Sequence, residues 1–182
     1  MDRVKRGDRD ALGSLFDKYH RSVFQFLVHV SGCPNQAEDG LQEVFLRVLR
    51  YAASYQNRFP FRLWLFQIAR NQFLRERGKS AEEPLEQEQG PLEPKSMEDP
   101  ERLLLYRERQ ARLGLALARL PVRQREALVL SRFGQFKYAE IAEILDCNEG
   151  TVKGRVHCAL KALKRTLSKR EGNDHEFRKT SA

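Results

Sequence analysis

The stretch YAEIAEILDCNEGTVKGRVHCALKAL, Tyr138–Leu163, decides how this chain is read. A short helix over Tyr138–Leu145 turns Ile141, Ala142 and Leu145 inward, and small Ala142 lets a second helix cross closely. Asp146–Gly150 is a tight polar turn. From Thr151 onward a longer helix carries Val152, Val156 and Leu160 at i, i+4 and i+8, one apolar stripe. Its other face holds Lys153, Arg155, His157, Lys161, Lys164 and Arg165. This is a helix-turn-helix pattern, which lays the start of its second helix in the major groove, where basic groups meet phosphates and base edges. The plain alternative is a helical hairpin with a solvated basic face.

Working outward, Gly134 breaks the helix before this motif, and Pro121 suits that helix's first turn, where its missing N–H is not needed. Pro100–Ala118 reads as a further helix through Leu103, Tyr106, Leu113 and Leu117. In the N-terminal half, Leu12, Leu15, Phe16, Tyr19, Val23, Phe26, Leu27 and Val30 recur at three- and four-residue steps, and Gly32 and Pro34 end that helix. Asn35 with Glu38 reads as a capping box for a second helix to about Ala53, with Leu41, Val44, Phe45, Val48, Leu49 and Ala52 inward. A break follows at Ser54–Pro60. A third helix from Phe61 to about Arg77 puts Trp64, Leu65, Ile68 and Ala69 on one side. No strand pattern emerges, so the expected class is all-α.

Charge divides the chain. Of 182 residues, 33 are Lys or Arg and 25 Asp or Glu, a net of +8, which points to a polyanionic partner. Residues 1–79 carry a net +6, residues 80–101 a net −7, and residues 102–182 a net +9. The acidic segment SAEEPLEQEQGPLEPKSMEDPE holds four prolines and few large apolar groups, so it is expected to be a flexible linker. The expected organisation is two small helical domains, 1–79 and 102–172, joined by the linker 80–101 and followed by a disordered tail 173–182. Residues this few in each domain, with 41% hydrophobic content, suit compact helical units. No apolar run is long enough for a transmembrane helix, and MDRVKRGDRD is not a secretory signal. Cys33, Cys147 and Cys158 are odd in number and widely spaced, so neither a disulfide framework nor a metal site is expected, and the compartment is read as the cytoplasm. His29 and Cys33 have helical spacing, but two ligands do not close a zinc site. Cys147 is expected to pack between the two helices of the helix-turn-helix.

The break and third helix crowd aromatics among arginines: Tyr51, Tyr55, Phe59, Phe61, Trp64, Phe66 and Phe73 with Arg58, Arg62, Arg70, Arg75 and Arg77. Rings beside cations suit single-stranded nucleic acid, whose bases stack while its backbone is neutralised. Trp64 and Phe61 lie on the apolar face and are expected in the core. Tyr55 and Phe59, in a loop, are the expected stacking rings, and the Asn71 amide can read a base edge. No Ser/His/Asp set, Gly-rich phosphate loop or carboxylate pair stands out, so an enzyme is not expected, nor any cofactor.

Two blocks resemble a known family. AEDGLQEVFLRVLR followed by FRLWLFQIARN is similar to region 2 of bacterial sigma factors of the small extracytoplasmic-function group, and LPVRQREALVLSRFGQFKYAEIAEILDCNEGTVKGRVHCALKAL to their region 4. The resemblance implies a subunit that binds core RNA polymerase, through its β′ clamp helices and β flap, and directs it to a two-part promoter. Region 4 would hold the −35 element as duplex, and region 2 would capture the −10 element as it melts. By position, Asp39, Gln42, Glu43, Phe45, Arg47 and Arg50 would dock the polymerase. Tyr55, Asn57, Arg58, Phe59, Asn71 and Arg75 would hold unpaired −10 bases. Tyr138, Thr151, Lys153, Gly154, Arg155, His157 and Lys161 would face the −35 element. An anti-sigma factor, in some cases membrane-bound, is a further implied partner, and the acidic linker would run through the polymerase channel that later carries RNA. Gly40, the loop Gln56–Pro60, Gly154 and Cys158 depart from the common pattern of the group; Gly40 alone is expected to weaken its helix by ~1 kcal/mol.

The main rival is a two-module helix-turn-helix regulator of duplex DNA that is not a polymerase subunit. It leaves the aromatic loop and the polar face of the second helix without a role.

Overall fold

The computed structural model describes residues 1–57, 59–80 and 99–179. Among them every regular element is helical: α1 (Asp2–Lys5), α2 (Arg9–Ser31), α3 (Pro34–Arg50), a 3-10 turn (Ala52–Ser54), α4 (Phe61–Ser80), α5 (Pro100–Ala118), α6 (Val122–Arg132), α7 (Tyr138–Leu145) and α8 (Glu149–Lys179). The all-α expectation is met. Of the linker expected over 80–101, Ser80 ends α4, Asp99 caps α5 and Pro100 and Glu101 begin it; residues 81–98 lie outside the described residues, as does Arg58.

Local chemistry sets most of the helix ends. Asp8 caps α2, its Oδ1 accepting the Ala11 N–H at 3.0 Å. Gly32 closes α2 in the left-handed conformation, φ 82°, with its N–H on the Val28 carbonyl. The expected Asn35–Glu38 capping box does not form: Cys33 is the N-cap and Pro34 starts α3, so Asn35 already lies inside the helix. Pro121 stands one residue earlier than expected, as the N-cap of α6 rather than in its first turn. The frayed tail expected from residue 173 is also corrected. α8 continues to Lys179, in a stretch without proline where an established helix propagates at low cost; residues 180–182 lie outside the description.

The N-terminal module packs α2, α3 and α4 around Val23, Phe26, Val30, Val44, Val48, Leu65 and Phe66, none more than 1% exposed. Gly40 has a packing reason that its helix propensity hides. A Cβ there would meet Leu27 Cδ1 at 3.3 Å, so the glycine lets α3 lie directly against α2. The C-terminal module wraps α6, α7 and α8 around Val129, Leu130, Ile141, Val152, Val156 and Ala159. Gly134 is walled in between α6 and α7. An added Cβ would stand 2.6 Å from the Leu130 carbonyl oxygen and 2.7 Å from the Phe136 ring.

The two cores are continuous, because α6 and α7 lie against α2 and α4. Phe66 meets Phe136 edge-on at 4.8 Å, and His29 stacks on Phe133 at 3.9 Å. Arg125 Nη1 donates to the Val30 carbonyl at 2.7 Å, and Arg62 donates to the Gly134 carbonyl.

Candidate nucleic-acid interface

The start of α8 is built as a presented edge. Asn148 Oδ1 accepts the Thr151 N–H at 2.7 Å and so caps the helix. Val152, Val156 and Ala159 are buried, which turns Lys153, Gly154, His157 and Lys161 out to solvent. Leu160, expected on the buried stripe, is 39% exposed; Ala159 takes its place. Lys153 lies 3.2 Å from Glu149, an exposed pair of little energetic weight. Tyr138 and Thr151 are half-buried at the starts of α7 and α8. Arg155 departs from the expected outward face: it is half-buried, with Nη1 donating to Cys147 Sγ at 3.6 Å. Cys147 packs half-buried against the helix-turn-helix core, as expected.

The aromatic loop is arranged otherwise than its sequence suggests. Tyr55 is only 7% exposed, and its hydroxyl donates to the Phe59 carbonyl. Its ring sits edge-on to Phe61 and tilted against Trp64, so Tyr55 is a strut of the loop. Burial, with the nearby Asp2 carboxylate, pushes its phenol pKa up. Phe59 is 45% exposed. Trp64, expected in the core, is half-buried and lines a pocket with Ser54, Tyr55, Gln56, Phe59 and Gln67. Neither Trp64 nor Gln67 is marked by the sequence pattern as part of a pocket, because Trp64 belongs to the apolar face of its helix.

The chain's own N-terminus braces this loop. Lys5 Nζ donates to the Tyr55 carbonyl at 2.7 Å and lies over its ring, while Asn57 Nδ2 donates to Asp2 Oδ1 at 3.1 Å. Asn71 and Arg75 are exposed on α4.

On α3, Asp39, Gln42 and Arg50 are exposed and Glu43 is half-buried. Phe45 and Arg47 are not on that outer face. Phe45 is 6% exposed and packs edge-on against Phe16 at 4.9 Å; Arg47 is buried and paired with Glu43 at 2.8 Å. Leu49, expected inward, is instead 47% exposed, and its neighbour Leu46 is 57% exposed. The outer face of α3 is therefore a mixed apolar and polar surface. Among the described residues no group of three or more His, Cys, Asp or Glu could hold a metal ion. His29 is taken up otherwise, Nδ1 donating to the Gln25 carbonyl at 2.6 Å. No described helix is long and apolar enough to cross a membrane.

Two helical modules, one with an aromatic pocket and one with a capped basic recognition helix, define a two-part DNA-reading protein. Comparison with known proteins gives the family. Residues 15–82 match the model of sigma-70 region 2, and residues 110–163 that of sigma-70, region 4. The chain is 31% identical over 176 residues to the RNA polymerase sigma-H factor of Pseudomonas aeruginosa, covering 92% of this chain and 91% of that one. It is 30% identical over 176 residues to the ECF RNA polymerase sigma factor SigW of Bacillus subtilis, covering 92% and 94%. Its fold is similar to that of CnrH, solved with the cytosolic domain of CnrY, with a TM-score of 0.71 at 22% identity over 92% of this chain and 94% of that one. It is also similar to the sigma factor RpoE solved with the anti-sigma factor NepR from Bartonella quintana, with a TM-score of 0.66 at 24% identity over 86% and 96%. The chain belongs to the sigma-70 family, as an extracytoplasmic-function sigma factor. Its activity is promoter-specific initiation of transcription with RNA polymerase, and the rival regulator is set aside because region 2 is present beside region 4.

Proposed function

We propose how this sigma factor's residues divide the work. Lys153, Gly154, His157 and Lys161 meet the −35 duplex, with Tyr138 and Thr151 at its edge and Arg155 reaching a phosphate. Phe59 and Trp64 stack unpaired −10 bases, with Asn57, Asn71, Arg58 and Arg75 around them. Asp39, Gln42, Leu46, Leu49 and Arg50 meet the polymerase. The observation that carries this division is exposure on the right helices: a capped α8 with its apolar stripe buried and its basic edge open, and a pocket rimmed by Phe59 and Trp64. A phosphate contact weakens all sequences alike, whereas a base contact discriminates by ~1–3 kcal/mol. The protein works in the cytoplasm, on the nucleoid when active and held by an anti-sigma factor, in some states at the inner membrane, when not. The two solved neighbours named above, both bound to other proteins, support such a partner.

Run-off transcription with core polymerase over a genomic fragment library tests the whole; no promoter-specific product would refute it. For the loop, Phe59→Ala should leave closed complexes largely intact and reduce open ones, since one stacked base is worth roughly 1–3 kcal/mol. An unchanged permanganate footprint of the melted bubble would remove Phe59 from the −10 contact.

A further inference from the structure

We propose that α1 is a positioning clip for the aromatic loop: Lys5 and Asp2 hold Tyr55 and Asn57, and so set the conformation in which Asn57 and Phe59 meet unpaired −10 bases. This rests on the −10 role given above to Asn57 and Phe59.

The loop does little to fix itself. Its backbone bonds are local, with the Tyr55 N–H on the Ala52 carbonyl at 3.2 Å and the Phe59 N–H on the Gln56 carbonyl at 3.3 Å. Both are at the long end for such bonds. They turn the chain without deciding where the turn points. Lys5 supplies what they lack. Its ammonium donates to the Tyr55 carbonyl at 2.7 Å, a charge-assisted bond, and lies 5.5 Å from the centre of the Tyr55 ring. One side chain thus holds both the backbone and the ring of Tyr55. The hold is passed on, because the Tyr55 hydroxyl donates to the Phe59 carbonyl.

Asp2 acts on the amide of Asn57. A carboxylate only accepts hydrogen bonds, so this contact at 3.1 Å decides that the amide nitrogen faces α1. The bond to Asn57 is also the chief reason that the Asp2 carboxyl is held below its ordinary pKa, so the acceptor is charged at neutral pH. Asn57 is exposed, and its oxygen is the end of the amide that Asp2 does not take up. That oxygen accepts from a base N–H. Adenine, cytosine and guanine each carry an amino group for it, and thymine does not. Asp2 therefore fixes which base edge Asn57 can read.

A clip needs its own anchor. α1 is four residues long, too short to hold by itself, since helix nucleation is costly. Val4 is 6% exposed and seats α1 on the bundle. Arg3 Nε bonds Asp8 Oδ2 at 2.8 Å, and Asp8 in turn caps α2. Gly7, at φ 85°, turns the chain between the two helices. Asp2 and Lys5, three residues apart, share the side of α1 that meets the loop.

The test uses the full chain in holoenzyme. The probe is a forked promoter fragment from the run-off screen, duplex at the −35 element and single-stranded at −10, with each −10 base varied singly. Lys5→Met removes the ammonium and keeps the stem, whereas Lys5→Arg keeps a donor. Lys5→Met should bind the fork about ten-fold more weakly, as expected if the loosened loop holds its working conformation about one-tenth of the time. Lys5→Arg should recover most of that loss. Affinity for the fully duplex fragment should be unchanged, and Tm should stay within a few degrees of wild type, since Lys5 is exposed. The salt slope of fork binding should also be unchanged. A slope lowered by about one would make Lys5 a phosphate contact and overturn its role in the clip; so would wild-type fork affinity in Lys5→Met. Asp2→Ala is the second variant, read in a cycle with Asn57→Ala. If Asp2 acts through Asn57, Asp2→Ala lowers base selectivity at the same −10 position as Asn57→Ala and adds nothing in the double variant. Losses that multiply overturn the coupling. Failure of the −10 reading itself is distinguished by Asn57→Ala alone: selectivity unchanged at every −10 base removes Asn57 from the contact, and the Asp2 arm of the clip with it.

Discussion

Phe45 and its neighbours on α3 allow polymerase docking to be separated from folding. Phe45 is 6% exposed and wedged edge-on against Phe16, whereas Leu46 and Leu49 are 57% and 47% exposed. Truncating a buried Phe to Ala costs about 3–5 kcal/mol, through lost transfer energy and the cavity left behind. For a chain of this size each kcal/mol moves the melting temperature by roughly 2–4 °C. Phe45→Ala should therefore lower Tm by about 6–20 °C. Leu46→Ala and Leu49→Ala remove side chains already half in water, so each should cost under about 1 kcal/mol and shift Tm by no more than about 4 °C. For affinity the order reverses. Leu46→Ala/Leu49→Ala should weaken core polymerase binding about ten-fold or more, as loss of a central apolar contact does. Phe45→Ala, measured well below its lowered Tm, should bind nearly as wild type. Differential scanning calorimetry and a fluorescence titration with core enzyme give both numbers on the same samples. A Phe45→Ala protein with unchanged Tm and much weaker polymerase binding would refute the packing assignment and return the ring to the docking face.

Three further outcomes are expected. Arg155→Ala should weaken every −35 variant alike and lower the salt slope by about one, while Lys153→Ala should alter their ranking; a changed ranking on Arg155→Ala would count against its turn toward Cys147. Burial depresses the His29 imidazole below its ordinary 6.5, so its contribution to stability is present above pH 6.5 and is lost as pH falls below it. Melting at pH 7.5 and 5.5 should show a larger drop for wild type than for His29→Gln, and equal drops would dismiss the effect. Changing Glu82, Glu83, Glu86, Glu88 and Glu93 to Gln should alter the ratio of abortive to full-length transcripts; an identical profile at low salt, where charge is least screened, would make the linker only a tether.

The helix-turn-helix was legible because its determinants are local. Val152 and Val156 repeat at helical spacing, a polar turn parts α7 from α8, although α8 already starts at Glu149 rather than Thr151, and Gly32 marks the end of α2 because glycine enters the left-handed region at little cost. Periodicity was silent wherever apolar residues circle a helix. Val44, Phe45, Leu46, Val48 and Leu49 cover more than half of the helix circumference, with Glu43, Arg47 and Arg50 on the rest, so only the placement of α2 and α4 decided that Phe45 is buried and that Leu46 and Leu49 are not. Tyr55 lies in a loop, where periodicity says nothing of burial, and Trp64 packs against the core while also lining the pocket. Tyr55 is held in place by Lys5, fifty residues away in sequence, and by its bond to the Phe59 carbonyl. Class, order of modules and the basic recognition edge thus belong to the sequence, since short-range spacing and charge specify them. Which rings stand in the pocket, which face of α3 is free, and the docking of Arg125 on Val30 across ninety-five residues belong to the tertiary structure, because burial is a property of neighbours brought together by the whole chain.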